Sequence, residues 1–172
     1  MRGGLIVLCA LLMGSRVIDL PLQRSQFDCG PVALHIWLSL RYPEIAARPA
    51  VQQTLERHSE QTLALRRGLS VQQVIRLGES VGVPLRARYV QFDELQPLLP
   101  LLVYLEMPAG AHFSVLTRIL AGPIPGIELT DPAGGVQLIS QQQFFQWWQR
   151  GIALSDWLHR RANPYQRNGP SA

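Results

Sequence analysis

The apolar residues of this chain change period part-way along it, and that change limits the folds open to it. From Asp28 to Gly82 they recur at helical spacing, whereas from Pro84 onward they alternate or form short continuous runs. The stretch "CGPVALHIWLSLRY" predicts a first helix, with Pro31 in its opening turn, where a missing N–H costs nothing. "RYPEIAARP" breaks that helix, and residues 50–66 read as a second, more polar one. "GLSVQQVIRLGESVG" reads as a third, with Ser70 as N-cap and Gly82 as the stop. "PLRARYV" then alternates as a strand does, "DELQPLL" is a short helical turn, and "LPLLVYLEM" suits a buried strand. "AHFSVLTRIL" alternates with β-branched residues, and "GIELTDPAGGVQLIS" reads as a hairpin turning at Pro132 to Gly135. "SQQQFFQWWQRG" is a last helix capped by Ser140, and the tail "NPYQRNGPSA" is polar. Helices first and strands later predict an α+β domain, N-terminal helices packed on a C-terminal antiparallel sheet. A doubly wound parallel sheet, which needs the two in alternation, is excluded.

At 172 residues the chain suits one domain with a sizeable core. Its net charge is +4, and all sixteen basic residues are arginine. With no lysine it can carry neither a Walker A loop nor a Schiff-base lysine. The pairs Arg66-Arg67 and Arg160-Arg161 read as solvated faces; without aromatic–basic interleaving, no nucleic-acid partner is expected. Two cysteines, Cys9 and Cys29, make no disulfide framework, and no Cys-x-x-Cys suggests structural zinc. No cofactor or metal is called for. "MRGGLIVLCALLMGS" has one arginine and an apolar core of signal-peptide length, too short to span a bilayer. The expected division is a leader at residues 1–15, a domain at 16–160 and a polar tail at 161–172. The leader predicts an exported, periplasmic or extracellular protein that meets the membrane only through this segment. A cytoplasmic protein, beginning with a strand or from a misassigned start, is the alternative.

Cys29 sits where the first helix begins, in "DCGP". Unpaired N–H groups there favour an anion, and so a thiolate. Gly30 lets another segment approach closely. A free cysteine is ordinarily buried as a small hydrophobe, but a filler has no need of a turn and a helix start beside it. A nucleophilic cysteine needs a base. Of four histidines, His35 lies on the first helix and reads as packing, His58 on a charged helix face, and His159 in the arginine-rich tail. His112 opens the strand "HFSVL" after the flexible "PAGA", a placement that suits a general base. An imidazole base needs a carboxylate to hold its ring and tautomer. Asp131 ends the next strand nineteen residues on, and two antiparallel neighbours would set the pair side by side, although Asp-Pro is also an ordinary turn signal. Gln23, six residues before Cys29, could offer its amide to an oxyanion together with the Cys29 N–H. Asp28 reads as the N-cap of the first helix. Trp147 and Trp148 could line a peptide groove, but read more readily as packing residues.

Gln23, "DCGP", "GAHFSVL" and "LTDPAGG", in that order, resemble the bacteriocin-processing cysteine peptidases, papain-like domains that remove double-glycine leader peptides. The likeness runs from about Leu20 to Gly151 and includes "GLSVQQVIRLGESVGVPLRARYV". It implies a bacterial protein with a papain-like fold and four roles: Cys29 as nucleophile, His112 as base, Asp131 as its orienter, Gln23 as oxyanion donor. It implies an endopeptidase working through an acyl-enzyme on a peptide or protein, with cleavage after Gly-Gly as a family expectation. The best-known members are fused to an exporter and its ATPase. The sequence lacks both, so it resembles a stand-alone member that could associate with a separate secretion or export system. Two alternatives remain: a papain-like module that binds peptides without cutting them, and an acyltransferase or amidase using the same three residues.

Overall fold

The computed structural model describes residues 20–122 and 125–156. The leader, Cys9, His159 and the tail lie outside them. Helix α1 (Cys29–Arg41) opens the fold, with α2 (Pro43–Ala46), α3 (Pro49–Leu65) and α4 (Val71–Ser80) behind it. Strands β1 (Leu85–Tyr89), β2 (Leu101–Met107), β3 (Gly110–Leu120), β4 (Gly126–Asp131) and β5 (Gly135–Ser140) follow. Helix α5 (Gln141–Trp147) and strand β6 (Ile152–Asp156) close it. The expected helices and strands stand where the period of the sequence put them, with two short 3₁₀ turns in "DELQPLL". Two elements had not been expected. The break "RYPEIAARP" holds the short α2, and "IALSD" forms β6.

β6 changes the topology. The six strands lie in the order β1-β6-β2-β3-β4-β5, antiparallel throughout. The chain leaves the β5 edge, crosses one face of the sheet as α5, and inserts β6 between β1 and β2. Leu154 stands opposite Ala87 of β1 and Leu102 of β2. The two faces of β6 are covered by different cores, Leu154 in the one beneath α1 and Ala153 in the one beneath α5, and Ala153 to Asp156 are all buried.

Each face of the sheet carries its own core. On one side α1 packs against β2 and β3. Ala33, Leu34, Ile36, Trp37 and Leu38 of α1 meet Leu102, Phe113 and Val115 of the sheet. α1 is buried nearly all round because α3 and α4 cover its other side; such a helix must be apolar all round. The Trp37 indole N–H donates to the Pro100 carbonyl at 2.9 Å, which ties α1 to the start of β2. α4 has the predicted cap: Ser70 Oγ accepts from the Gln73 N–H at 3.3 Å, and the Gln73 side chain accepts from the Ser70 N–H at 2.8 Å. Gly82, with φ +87°, lets the chain turn out of α4. On the other side of the sheet Phe144 of α5 and Trp148, the residue that follows the helix, bury against Leu101, Val103, Leu105 and Leu116. The α1 N-terminus and the β2–β3 and β4–β5 turns meet at one end of the fold, where the candidate site lies.

Candidate active site

Cys29 is the first residue of α1 and is 3% exposed. Gly30 behind it allows the close approach expected: a Cβ there would stand 3.3 Å from both Leu69 Cβ and Val74 Cγ2. Asp28 takes the N-cap position, but its side chain makes no capping bond, which corrects the role expected of it. Its backbone (φ −101°, ψ 13°) lies outside the extended region from which a cap reaches into the first turn. The carboxylate turns back instead. Oδ2 accepts from the Arg24 N–H at 3.1 Å and Oδ1 from the Ser25 N–H at 3.0 Å. Asp28 is fully buried, with the Arg24 guanidinium 3.7 Å away. The 24–28 segment is thus clipped into a tight loop, and it carries Gln23.

The Gln23 N–H donates to the Pro132 carbonyl at 2.8 Å, joining this loop to the turn after Asp131. Its side-chain oxygen is buried and has no partner among the described residues. The amide's oxygen and nitrogen ends exchange by a half-turn of the terminal torsion, so this buried end of Gln23 can present N–H donors as well as an acceptor.

His112 is the third residue of β3 and Asp131 the last of β4. The antiparallel pairing brings them together as expected: His112 Nε2–H donates to Asp131 Oδ2 at 2.7 Å. Asp131 Oδ1 accepts from the Ala133 N–H at 2.8 Å, and the Ser114 hydroxyl, which donates to the Thr130 carbonyl at 3.5 Å, lies close to the carboxylate. With Nε2 engaged, Nδ1 is the ring nitrogen left for Cys29, whose side chain lies near enough to favour the charged form of His112. The electrostatics follow from these contacts. Burial alone would push the His112 imidazolium down. The bonds and charges of Asp131 and Cys29 outweigh it and raise the group to about 9. Burial alone would raise Asp131, but the bond and charge of His112, with the Ala133 and Ser114 donors, hold its carboxyl below the usual range.

The other described histidines, His35 and His58, stand apart from this cluster. His35 is half-buried on α1, and burial lowers it against the pull of Glu56. His58, expected on a solvated face, is half-buried, with Nδ1 2.8 Å from the Thr54 carbonyl. Trp148 is a core residue, as expected, whereas Trp147 lines a cavity beside His112 and Asp131. Gln137, Gln26 and Ser114 also lie near the pair and had not been singled out. The strand period could have found Ser114 and Gln137, since Ser114 shares a face with His112, and Gln137 with Asp131. Among the described residues no three His, Cys, Asp or Glu side chains are grouped to hold a metal ion, and no helix is long and apolar enough to cross a membrane.

Residues 18–157 match the peptidase C39 family. The chain belongs to that family. Its helices and six-stranded antiparallel sheet are the papain-like fold of C39 peptidase domains. A similar curated protein is the probable functional amyloid protease FapD of Pseudomonas aeruginosa, 28% identical over 141 residues. That match takes in 81% of this C39 peptidase and 61% of FapD, so the chain spans about three fifths of the length of that relative. Among solved structures it is similar to a double glycine motif protease from an AMS/PCAT transporter in complex with the leader peptide. The TM-score is 0.58 at 20% identity, over 78% of this chain and 87% of that one. It is also similar to the peptidase domain of Streptococcus ComA, a bi-functional ABC transporter involved in a quorum sensing pathway. There the TM-score is 0.60 at 18% identity, over 79% and 95% of the two chains.

Proposed function

We propose that this C39 peptidase is an endopeptidase that cuts through a Cys29–His112–Asp131 triad, with Gln23 as oxyanion donor. The observation that carries the reading is one imidazole acted on from two residues: Asp131 on Nε2 at 2.7 Å, and Cys29, whose side chain favours the charged form of the same ring. That is the arrangement nucleophilic catalysis requires.

In this mechanism His112 takes the thiol proton and Cys29 Sγ attacks the scissile carbonyl. The oxygen becomes an oxyanion held by the Cys29 N–H and a side-chain N–H of Gln23, whose amide turns that donor into the buried position without a protein partner. The imidazolium gives its proton to the leaving nitrogen, the C–N bond breaks, and a thioester remains on Sγ. Water then attacks the thioester, His112 takes its proton, and the acid product leaves as the thiol is restored. Asp131 keeps the imidazole aimed and stabilises its charge throughout.

The bond cut is proposed to follow a Gly-Gly-type leader. A cysteine only 3% exposed suits an acyl residue with no side chain to hold the backbone away. The likeness to a double glycine motif protease supports the same reading. Association with a separate export system, and export of the chain itself by its first fifteen residues, are proposed on the likeness to transporter peptidase domains and to FapD. Incubation with a peptide carrying an internal Gly-Gly tests the activity. Cleavage after the second glycine is expected from the native chain and none from Cys29→Ala; cleavage by Cys29→Ala would refute the nucleophile. N-terminal sequencing of the protein recovered from its native cell tests removal of residues 1–15.

A further inference from the structure

A cavity of about 230 Å³ lies on the α5 face of the sheet, with His112, Asp131 and Gln23 in its wall. Leu105 and Met107 of β2, Leu129 of β4 and Trp147 of α5 supply its apolar surface, and Gln26 and Gln137 its other amides. Cys29 does not line it. The imidazole of His112 therefore has Cys29 as one neighbour and this cavity as another.

That placement decides which half of a substrate the cavity meets. In the proposed mechanism the acyl half stays bonded to Cys29 Sγ. The other half departs from the nitrogen that His112 protonates, so its first residue must lie against the imidazole and away from the sulfur. A cavity that touches His112 and Gln23 but not Cys29 meets this condition. Its chemistry then selects the side chain. Among the described residues the only ionisable ones in its lining are His112 and Asp131, and they are bound to each other. A charged side chain would enter without a counter-charge and lose its hydration. An aliphatic side chain would bury against Met107, Leu129 and Trp147, and an amide could pair with Gln26 or Gln137. Resting on the triad reading, we propose that this cavity is the leaving-group subsite, and that it takes a neutral aliphatic or amide side chain from the residue after the cut bond.

The test needs no natural substrate. p-Nitrophenyl acetate acetylates the Cys29 thiol and releases p-nitrophenolate. An amino-acid amide seated in the cavity then attacks the thioester: the C–N bond forms, the C–S bond breaks, and the amine proton passes through His112 to the sulfur. The full chain is acetylated at about pH 8.5, above the ordinary α-amino range, and offered leucine amide, glutamine amide, aspartic acid α-amide or arginine amide. Acetyl transfer is followed by mass spectrometry. Leucine and glutamine amides are expected to accept the acetyl group at least about tenfold faster than the charged amides, with saturation, because of the uncompensated charge. In Met107→Lys the aspartic acid α-amide should overtake leucine amide. Equal, unsaturated rates for all four amides in the native protein would overturn the subsite while leaving the triad standing. If Cys29 takes no acetyl group, or takes it equally fast in His112→Ala, the triad reading fails and the subsite falls with it.

Discussion

Two buried carboxylates flank the candidate site and act differently. Asp28 holds backbone, whereas Asp131 holds the imidazole. Asp28→Ala would strand the buried N–H groups of Arg24 and Ser25, so it should cost about 1–3 kcal/mol in a urea melt. It should also lower kcat, because the loop that carries Gln23 is freed. A melt unchanged from the native protein would refute the clip. His112→Ala should lower kcat by about 10²- to 10⁴-fold, the usual worth of a positioned acid–base group. Asp131→Asn should cost less, since an amide oxygen can still accept from Nε2–H; equal or reversed losses would contradict the assigned roles. That His112 and Asp131 meet was legible because an imidazole base calls for a carboxylate partner and the strand period restricts where the two can be placed. The true partner of Asp28 was not. The residue before a helix looks the same in sequence whether its carboxylate reaches forward into the first turn or back into the loop, and only the backbone angles decide.

At the scale of elements, every long periodic segment formed the helix or strand its period demanded, and the miss was β6. Five residues after a glycine carry little periodic signal, and "IALSD" owes its strand to pairing with β1 and β2, some fifty to seventy positions earlier in the chain. The contact between α4 and β1 gives a test whose sign is informative. Alanine ordinarily improves a helix over glycine by about 1 kcal/mol. At Gly78, however, a Cβ would meet Leu85 Cδ1 at 2.8 Å and the Val83 carbonyl at 2.9 Å. Overpacking of this kind costs about 1–3 kcal/mol, so Gly78→Ala should destabilise the fold. A stabilised variant in the same urea melt would contradict the close packing of α4 on β1.

For the whole molecule, the site ties pH to both stability and activity. The raised His112 group contributes stability in full below its ordinary value of 6.5 and loses it as pH climbs through about 9. The lowered Asp131 group contributes in full above its ordinary value of 3.8 and loses it as pH falls through its depressed value. The stability gap between the native protein and His112→Ala should therefore be widest between pH 3.8 and 6.5 and shrink through about 9. Peptide cleavage should fail on the alkaline side near the same value, as the imidazolium that protonates the leaving nitrogen disappears.

The central claim is that Cys29 and His112 form one nucleophilic unit, and alkylation tests it without any substrate. The full chain is treated with iodoacetamide at about pH 6.5, where an ordinary thiol is almost wholly protonated. Modification of Cys29 is read by mass spectrometry on its own peptide, separately from Cys9. The account predicts rapid modification that slows by at least about tenfold in His112→Ala, because the imidazolium no longer stabilises the thiolate. A rate the same in both proteins would mean that the two side chains do not act together, and the triad would have to be abandoned.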